Sequence, residues 1–283
     1  MSARITEPGV YDIPADLYHR DPVEGGSLSS TGARRLLQMP PARWRYELEH
    51  PTPPTPAMIL GTAVHTLILG AGPKPVRVDA KRWDSKAAKE ARAEEEALGN
   101  LPLLADTYDQ AFAMASAVLR HPVARKLFAP ARGKSEQVLV WRDEETGVMC
   151  RAMVDHMPHA GTVGLHILAD LKTTTNASPR KVAKTVADFG YDQQGAWYLD
   201  GYRALGLAPD PAMVFVFVEK DPPYLVSVVE LDQPALIVGG ELNRRALDLY
   251  ARCRATDTWP GYSPEIELVS LPAWASARLE EPF

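Results

Sequence analysis

Cysteine is nearly missing from this chain: 283 residues hold only Cys150 and Cys253. Two thiols cannot build a disulfide framework, a four-cysteine zinc site or a cysteine-ligated iron–sulfur cluster. The expectation is a protein of a reducing compartment. Long apolar runs are missing too. No stretch reaches the ~18 residues that span a bilayer, and the opening MSARITEPGVYDIPADLYHR lacks the apolar core of a signal peptide. This predicts a soluble, cytoplasmic protein with no membrane partner. Nor is there an excess of positive charge. Lys and Arg total 31 against 36 Asp and Glu, a formal net charge of −5, which argues against coating nucleic acid by bulk charge. An enzyme that gathers carboxylates at one place, with only a local basic surface, remains open. No internal repeat is visible.

The length and the 46% hydrophobic content suit one domain spanning residues 1–283. The 25 prolines fall mostly at element boundaries, as at Pro40-Pro41 and the connector Pro51–Pro56. Residues 1–130 read as mainly helical. A short edge strand is expected at Gly9–Ile13, then helices at Gly32–Gln38 (capped by Ser29-Ser30-Thr31), Pro41–His50, Ala57–Leu69, Asp84–Leu98 and Leu104–Arg120, and a short one ending at Phe128. At Ser135 the apolar period changes to two. Glu136–Trp141, Val148–Met157 and Val163–Thr173 read as strands, followed by helices from Ser178-Pro179 to Phe189 and from Asp192 to Leu205. Ala212–Lys220 and Tyr224–Leu231 are two more strands, the first apolar enough (MVFVFV) to be interior, and Asp232 caps a long last helix. The order predicts an α/β fold: a short mixed β-sheet flanked by helices over 131–283, with a helical N-terminal region.

Asp170 and Lys172 are two apart on one strand and share a face. Asp155, near the end of the preceding strand, joins them if the strands pair. A single acid beside a single lysine is usually just an ion pair. A cluster is different. Asp155, Asp170, the Leu171 carbonyl and Glu136 offer the hard oxygens that magnesium takes, with manganese as a substitute. Lys172 can then orient or deprotonate a water, or stabilise charge building on phosphorus. His65 is the one ionisable residue of a nearly all-apolar helix, and alone it reads as a core histidine. Gly61, four residues earlier, leaves space beside it. Gln194 and Tyr198 share one face of their helix. Ser30, Arg34, Arg35 and Arg45 are candidate DNA contacts, although helix capping and aromatic anchoring account for the same segments.

Asp155 followed by Asp170-Leu171-Lys172 resembles the PD-(D/E)xK nuclease superfamily. Gly61-Thr62-Ala63-Val64-His65, Glu136 in SEQVLVW, and Gln194-Gly195-Ala196-Trp197-Tyr198 resemble the motifs of its RecB-like branch. In order along nearly the whole chain, GVYDIPADLYH, SLSSTGARRLL, PPAR, PPTPAMILGTAVHTLIL, YDQQGAWYLDGY and WPGY resemble the RecE-like exonucleases of the exodeoxyribonuclease VIII type. Val154 stands where the superfamily has a proline before its first aspartate, a departure common in the RecB-like branch.

The resemblance implies a PD-(D/E)xK nuclease core and a magnesium-dependent exonuclease. Such an enzyme degrades linear double-stranded DNA 5′→3′ and leaves 3′ tails for a single-strand annealing protein of the RecT type. It implies a ring-like homo-oligomer acting on double-stranded DNA ends in phage or prophage recombination, in a bacterial or phage-infected cell. His65, Glu136, Asp155 and Asp170, with the Leu171 carbonyl, would serve the metal; Lys172 the water or transition state; Gln194 and Tyr198 the positioning of these groups. The alternatives are a RecB-branch nuclease of other polarity, an endonuclease of the CRISPR-associated type without its cluster, and a non-catalytic DNA-end-binding recombination adaptor.

Overall fold

The computed structural model describes residues 4–276. The chain begins with β1 (Gly9–Tyr11), α1 (Ala15–His19) and β2 (Leu28–Ser29), then α2 (Ser30–Gln38), α3 (Pro41–Glu49) and α4 (Pro56–Leu69). A small excursion, β3 (Pro75–Val78), α5 (Lys86–Ala97) and β4 (Leu101–Leu104), leads to α6 (Ala105–Arg120) and α7 (Ala124–Leu127). The main strands β5 (Gly133–Arg142), β6 (Met149–Pro158) and β7 (Ile167–Thr174) follow, then α8 (Pro179–Phe189), α9 (Tyr191–Ala204), β8 (Ala212–Glu219), β9 (Val226–Glu230) and α10 (Gln233–Thr256). Among the described residues, no helix is long and apolar enough to cross a membrane.

Local chemistry explains the boundaries. The Ser29 hydroxyl accepts the Gly32 N–H at 3.1 Å and starts α2 two residues before the expected Gly32. Thr55 caps α4, Pro56 sits in its first turn, and Gly70, at φ +69°, closes it in a left-handed conformation. The Asp232 carboxylate accepts the Ala235 N–H at 3.0 Å, the expected cap of α10. The strand expected from Val163 starts only at Ile167, because Gly164 at φ +97° turns the chain and Val163 projects 97% exposed.

The main sheet runs β1-β5-β6-β7-β8-β9, with β2 also beside β6. β7 and β8 are parallel from Ile167↔Ala212 to Thr174↔Glu219, while β5–β6 and β8–β9 are antiparallel, so the sheet is mixed as expected. β8 is interior, also as expected. Two strands of the first thirty residues, β1 and β2, complete this sheet. The decisive feature is β6. β5 covers one side of it along its length. On the other side β2 pairs at Leu28↔Cys150 and Ser29↔Arg151, and β7 pairs only at His156↔Ala169. Between Arg151 and His156 that side of β6 has no strand partner, and the sheet parts.

Each face of the sheet is buried by its own helices. Leu139, Trp141, Leu168, Phe215 and Phe217 pack with Trp197, Tyr202 and Leu247 of α9 and α10. Ala169, Leu171, Val216 and Val218 pack with Leu60 and Val64 of α4 and Met114 and Val118 of α6. Each fully buried large side chain contributes roughly 1.5–3 kcal/mol. α9 lies so close to the sheet that a Cβ on Gly201 would meet the Trp141 ring at 2.6 Å. Although its sequence is nearly all apolar, α4 is not buried at its first turns: Met58 is 59% exposed, because this end of the helix borders an open cleft rather than the core.

Candidate active site

The cleft opens where the sheet parts. Past His156↔Ala169 the backbone of β7 has lost its β6 partner, and side chains take over. The Leu171 N–H donates to Asp155 Oδ2 at 2.8 Å. The Leu171 carbonyl lies 3.0 Å from His65 Nε2, delivered by α4, and His65 Nδ1 lies 3.4 Å from Asp155 Oδ2. The interrupted ladder therefore aligns Asp155 and His65 against β7.

Asp170 and Lys172 face α9. Gln194 Nε2 donates to Asp170 Oδ1 at 2.7 Å, and the Lys172 ammonium lies 2.5 Å from Asp170 Oδ2. The neighbouring Gln193 does not reach this carboxylate. Glu136 lies across from Asp155 in the β5–β6 register, between the pairs Ser135↔His156 and Gln137↔Val154. Its φ of +50° interrupts the pairing at that step. A non-glycine residue held there costs about 1–2 kcal/mol. Its carboxylate makes no hydrogen bond or ion pair among the described residues. Tyr198 is buried one helical turn beyond Gln194. All seven side chains line one cleft of about 690 Å³.

The electrostatics follow from burial and excess negative charge. Burial pushes the Asp170 carboxyl up to about 6; Lys172 opposes this and Asp155 adds to it. Burial alone would lower the Lys172 ammonium, but Asp170 and Asp155 outweigh it and hold its pKa above the ordinary value. Glu136 is raised by burial first and by Asp155 second. All three shifts favour the protonated form: at Asp170 and Glu136 mainly through burial, at Lys172 through the neighbouring carboxylates. The donor set is made of hard oxygens from Glu136, Asp155, Asp170 and Leu171, with Asp170 Oδ2 facing the Lys172 ammonium. Among the described residues no three His, Cys, Asp or Glu side chains form a closed metal cage. Magnesium does not need one, since it keeps several waters and takes one or two carboxylates. The residues fit that ion.

The remaining candidates divide. Ser30 and Arg34 line the cleft; Arg34 Nη1 donates to the Phe189 carbonyl at 2.6 Å. Arg35 is paired with Glu47, and Arg45 with Glu49 at 3.4 Å and Asp257 at 3.0 Å, and neither borders the cleft. Tyr191 was not anticipated. The Lys172 ammonium sits 4.8 Å from the centre of its ring. The signal was its position three residues before Gln194, on the same helical face.

Residues 34–272 match the family described as a PDDEXK-like domain of unknown function, DUF3799. The chain belongs to this PDDEXK-like family. Its mixed sheet with flanking helices is the PDDEXK-like nuclease fold. A crystal structure of a protein from Eubacterium rectale, named there as a candidate exonuclease, is similar at a TM-score of 0.63 and 11% identity, covering 95% of this chain and 98% of that one. At that identity the likeness speaks for the fold. No curated protein matches the sequence significantly. Metal-dependent PDDEXK-like nucleases use a divalent ion, and in this member the carboxylates described above line one cleft at the parting of the sheet.

Proposed function

We propose that this PDDEXK-like protein is a magnesium-dependent exonuclease that degrades linear double-stranded DNA 5′→3′ and leaves 3′ single-stranded tails. One observation carries the reading. His65, Glu136, Asp155, Asp170, Lys172, Gln194 and Tyr198, drawn from α4, β5, β6, β7 and α9, line a single cleft. Membership in the PDDEXK-like family supports the nuclease chemistry. The RecE-like order of segments along the chain supports the polarity, and with it a ring-like homo-oligomer, a RecT-type annealing partner and a cytoplasmic role in recombination.

In this reading Asp155 and Asp170, with Glu136, His65 and the Leu171 carbonyl, hold the ion. Magnesium, when bound, supplies Lewis acidity toward a water and a phosphate oxygen. Asp155 is fixed by the Leu171 N–H and Asp170 by Gln194, so neither carboxylate has to reorganise. Lys172 stays an ammonium. It orients the attacking water or meets charge on the phosphate, and it is held between the Asp170 carboxylate and the Tyr191 ring. Tyr198 closes the inner wall beside Gln194.

The test uses linear duplexes labelled at the 5′ or the 3′ end, beside closed circular plasmid, all in magnesium. The expected result is early release of 5′ label as short products, retained 3′ label and intact circles. Nicked or linearised circles would favour the endonuclease reading. DNA-end binding without any product would favour the non-catalytic adaptor.

A further inference from the structure

The cleft does not end at Lys172. A second groove of about 560 Å³ continues from it and shares Met58, Gly61, His65, Lys172, Phe189 and Tyr191 with the first. Its far walls are the end of β7, the side of α8 that carries Lys181, Thr185 and Asp188, and Lys220 just past the end of β8. Lys181 and Lys220 have no ion partner among the described residues, and neither do Arg180 and Lys184 along the same helix. Asp188 is the one carboxylate of the groove outside the shared waist. The hydroxyls of Thr173 and Thr175, also lining it, make no hydrogen bond among the described residues.

At the waist stands an aromatic side chain that the fold does not bury. Phe189 is 61% exposed and lies stacked against Tyr191, with ring centres 5.8 Å apart and planes 17° apart. Tyr191 stacks in turn on Phe215 at 5.8 Å. This ladder is rigid at its base and open at its tip. An unpaired row of cations beside an open aromatic face is the combination that binds single-stranded nucleic acid: cations follow the backbone and the ring takes a base. Inside an intact duplex a base has no free face to offer such a ring.

We propose that this groove is a binding subsite for one unpaired strand of nucleic acid, in which Lys181 and Lys220 take backbone phosphates flanking the reacting one and Phe189 stacks a base. It rests on the nuclease reading for its place in a reaction, but not for its existence. The strand leaves its duplex before it passes the waist and continues into the groove past Lys181 and Lys220.

The test is fluorescence anisotropy with a labelled twelve-residue oligothymidine in EDTA, across a salt series, so that no cleavage is needed. Replacing Lys181→Ala and Lys220→Ala together is expected to make the slope of log K against log salt shallower by about 1.4, two contacts at about 0.7 each for a single strand. Phe189→Ala is expected to weaken binding about tenfold with the slope unchanged. Lys86→Ala with Lys89→Ala, on α5, is expected to change neither, and the thermal midpoint of each variant reports its folding. Unchanged slope and affinity in the Lys181/Lys220 variant would overturn the subsite, and so would a loss seen only with a blunt twelve-base-pair duplex. If the wild type binds with this lysine dependence but cuts no DNA in magnesium, the proposed activity falls and the subsite stands.

Discussion

Glu136 separates what the fold needs from what the site needs. Its φ of +50° is one that glycine adopts freely and glutamate does not, and its carboxylate has no hydrogen-bond or ion-pair partner among the described residues to lose. Replacing Glu136→Gly removes a backbone penalty of about 1–2 kcal/mol, partly offset by the extra freedom glycine gives the unfolded chain, for a net gain of about 1 kcal/mol. For a chain of this size that is a rise of about 2–4 °C in thermal midpoint. Glu136→Gln keeps the strained backbone and isolates the charge. Burial and Asp155 raise the Glu136 carboxyl above its unfolded value. The stability this group contributes is therefore complete below the unfolded pKa and is lost as pH rises through the folded one. Glu136→Gln should gain on the wild type as pH climbs from the ordinary glutamate range through the raised folded pKa. Both variants should lose most nuclease activity. The assay is thermal and urea unfolding in EDTA at several pH values, beside DNA digestion in magnesium. A lower midpoint for Glu136→Gly, or full activity in both variants, would refute the view of Glu136 as a strained residue kept for its carboxylate.

Other outcomes follow from individual contacts. A Cβ on Gly61 would meet only the Thr173 hydroxyl, at 3.9 Å; Gly61→Ala should stabilise α4 by about 0.5–1 kcal/mol, whereas Gly61→Leu should keep the fold and cut digestion at least about tenfold by filling the cleft. Gln194→Glu places a second carboxylate against the buried Asp170, so digestion should fall about 100-fold, checked by single-turnover rates, with Gln194→Ala less severe. Asp143 is raised by its burial, but hydrogen bonds from Arg244 and Thr146 outweigh this and hold it below the usual carboxylate range. Its stabilisation is present above the unfolded pKa and lost as pH falls, so Asp143→Asn should cost about 1–2 kcal/mol near neutrality and flatten the acid limb of the unfolding curve.

Much of this molecule was legible because its signals are periodic or punctuated. The switch to period two at Ser135, the caps at Ser29 and Asp232, and the apolar run of β8 each follow from local physics. The cluster was legible because Asp170 and Lys172 lie on one strand face and Gln194 and Tyr198 on one helix face. What local patterns do not carry is the parting of β6 from β7. Spacing alone suggests a continuous pairing that would set Asp155 beside Asp170; instead Asp155 reaches the Leu171 N–H across the place where pairing has stopped, and His65 takes the carbonyl. Neither the left-handed backbone of Glu136 nor the two-residue strand β2 has a sequence signature: the first arises where the β5–β6 register breaks, and the second pairs with β6 more than a hundred residues away. The aromatics of α3 read first as anchors to the body and only second as a grip on DNA, and Trp44 is buried against Trp259 and Tyr250, while Tyr46 stays 60% exposed. At the cleft the open aromatic ring is that of Phe189, whose surroundings are assembled only in three dimensions.

The central claim is that the carboxylates around Lys172 hydrolyse phosphodiesters with a divalent ion. The most direct measurement is the digestion of a linear duplex by wild type, Asp155→Ala and Lys172→Ala, each with magnesium and with EDTA, after confirming that all three are folded. The expected result is digestion by the wild type in magnesium alone and at least a hundredfold loss in each variant. Digestion in EDTA, or full activity in folded Asp155→Ala and Lys172→Ala proteins, would contradict it.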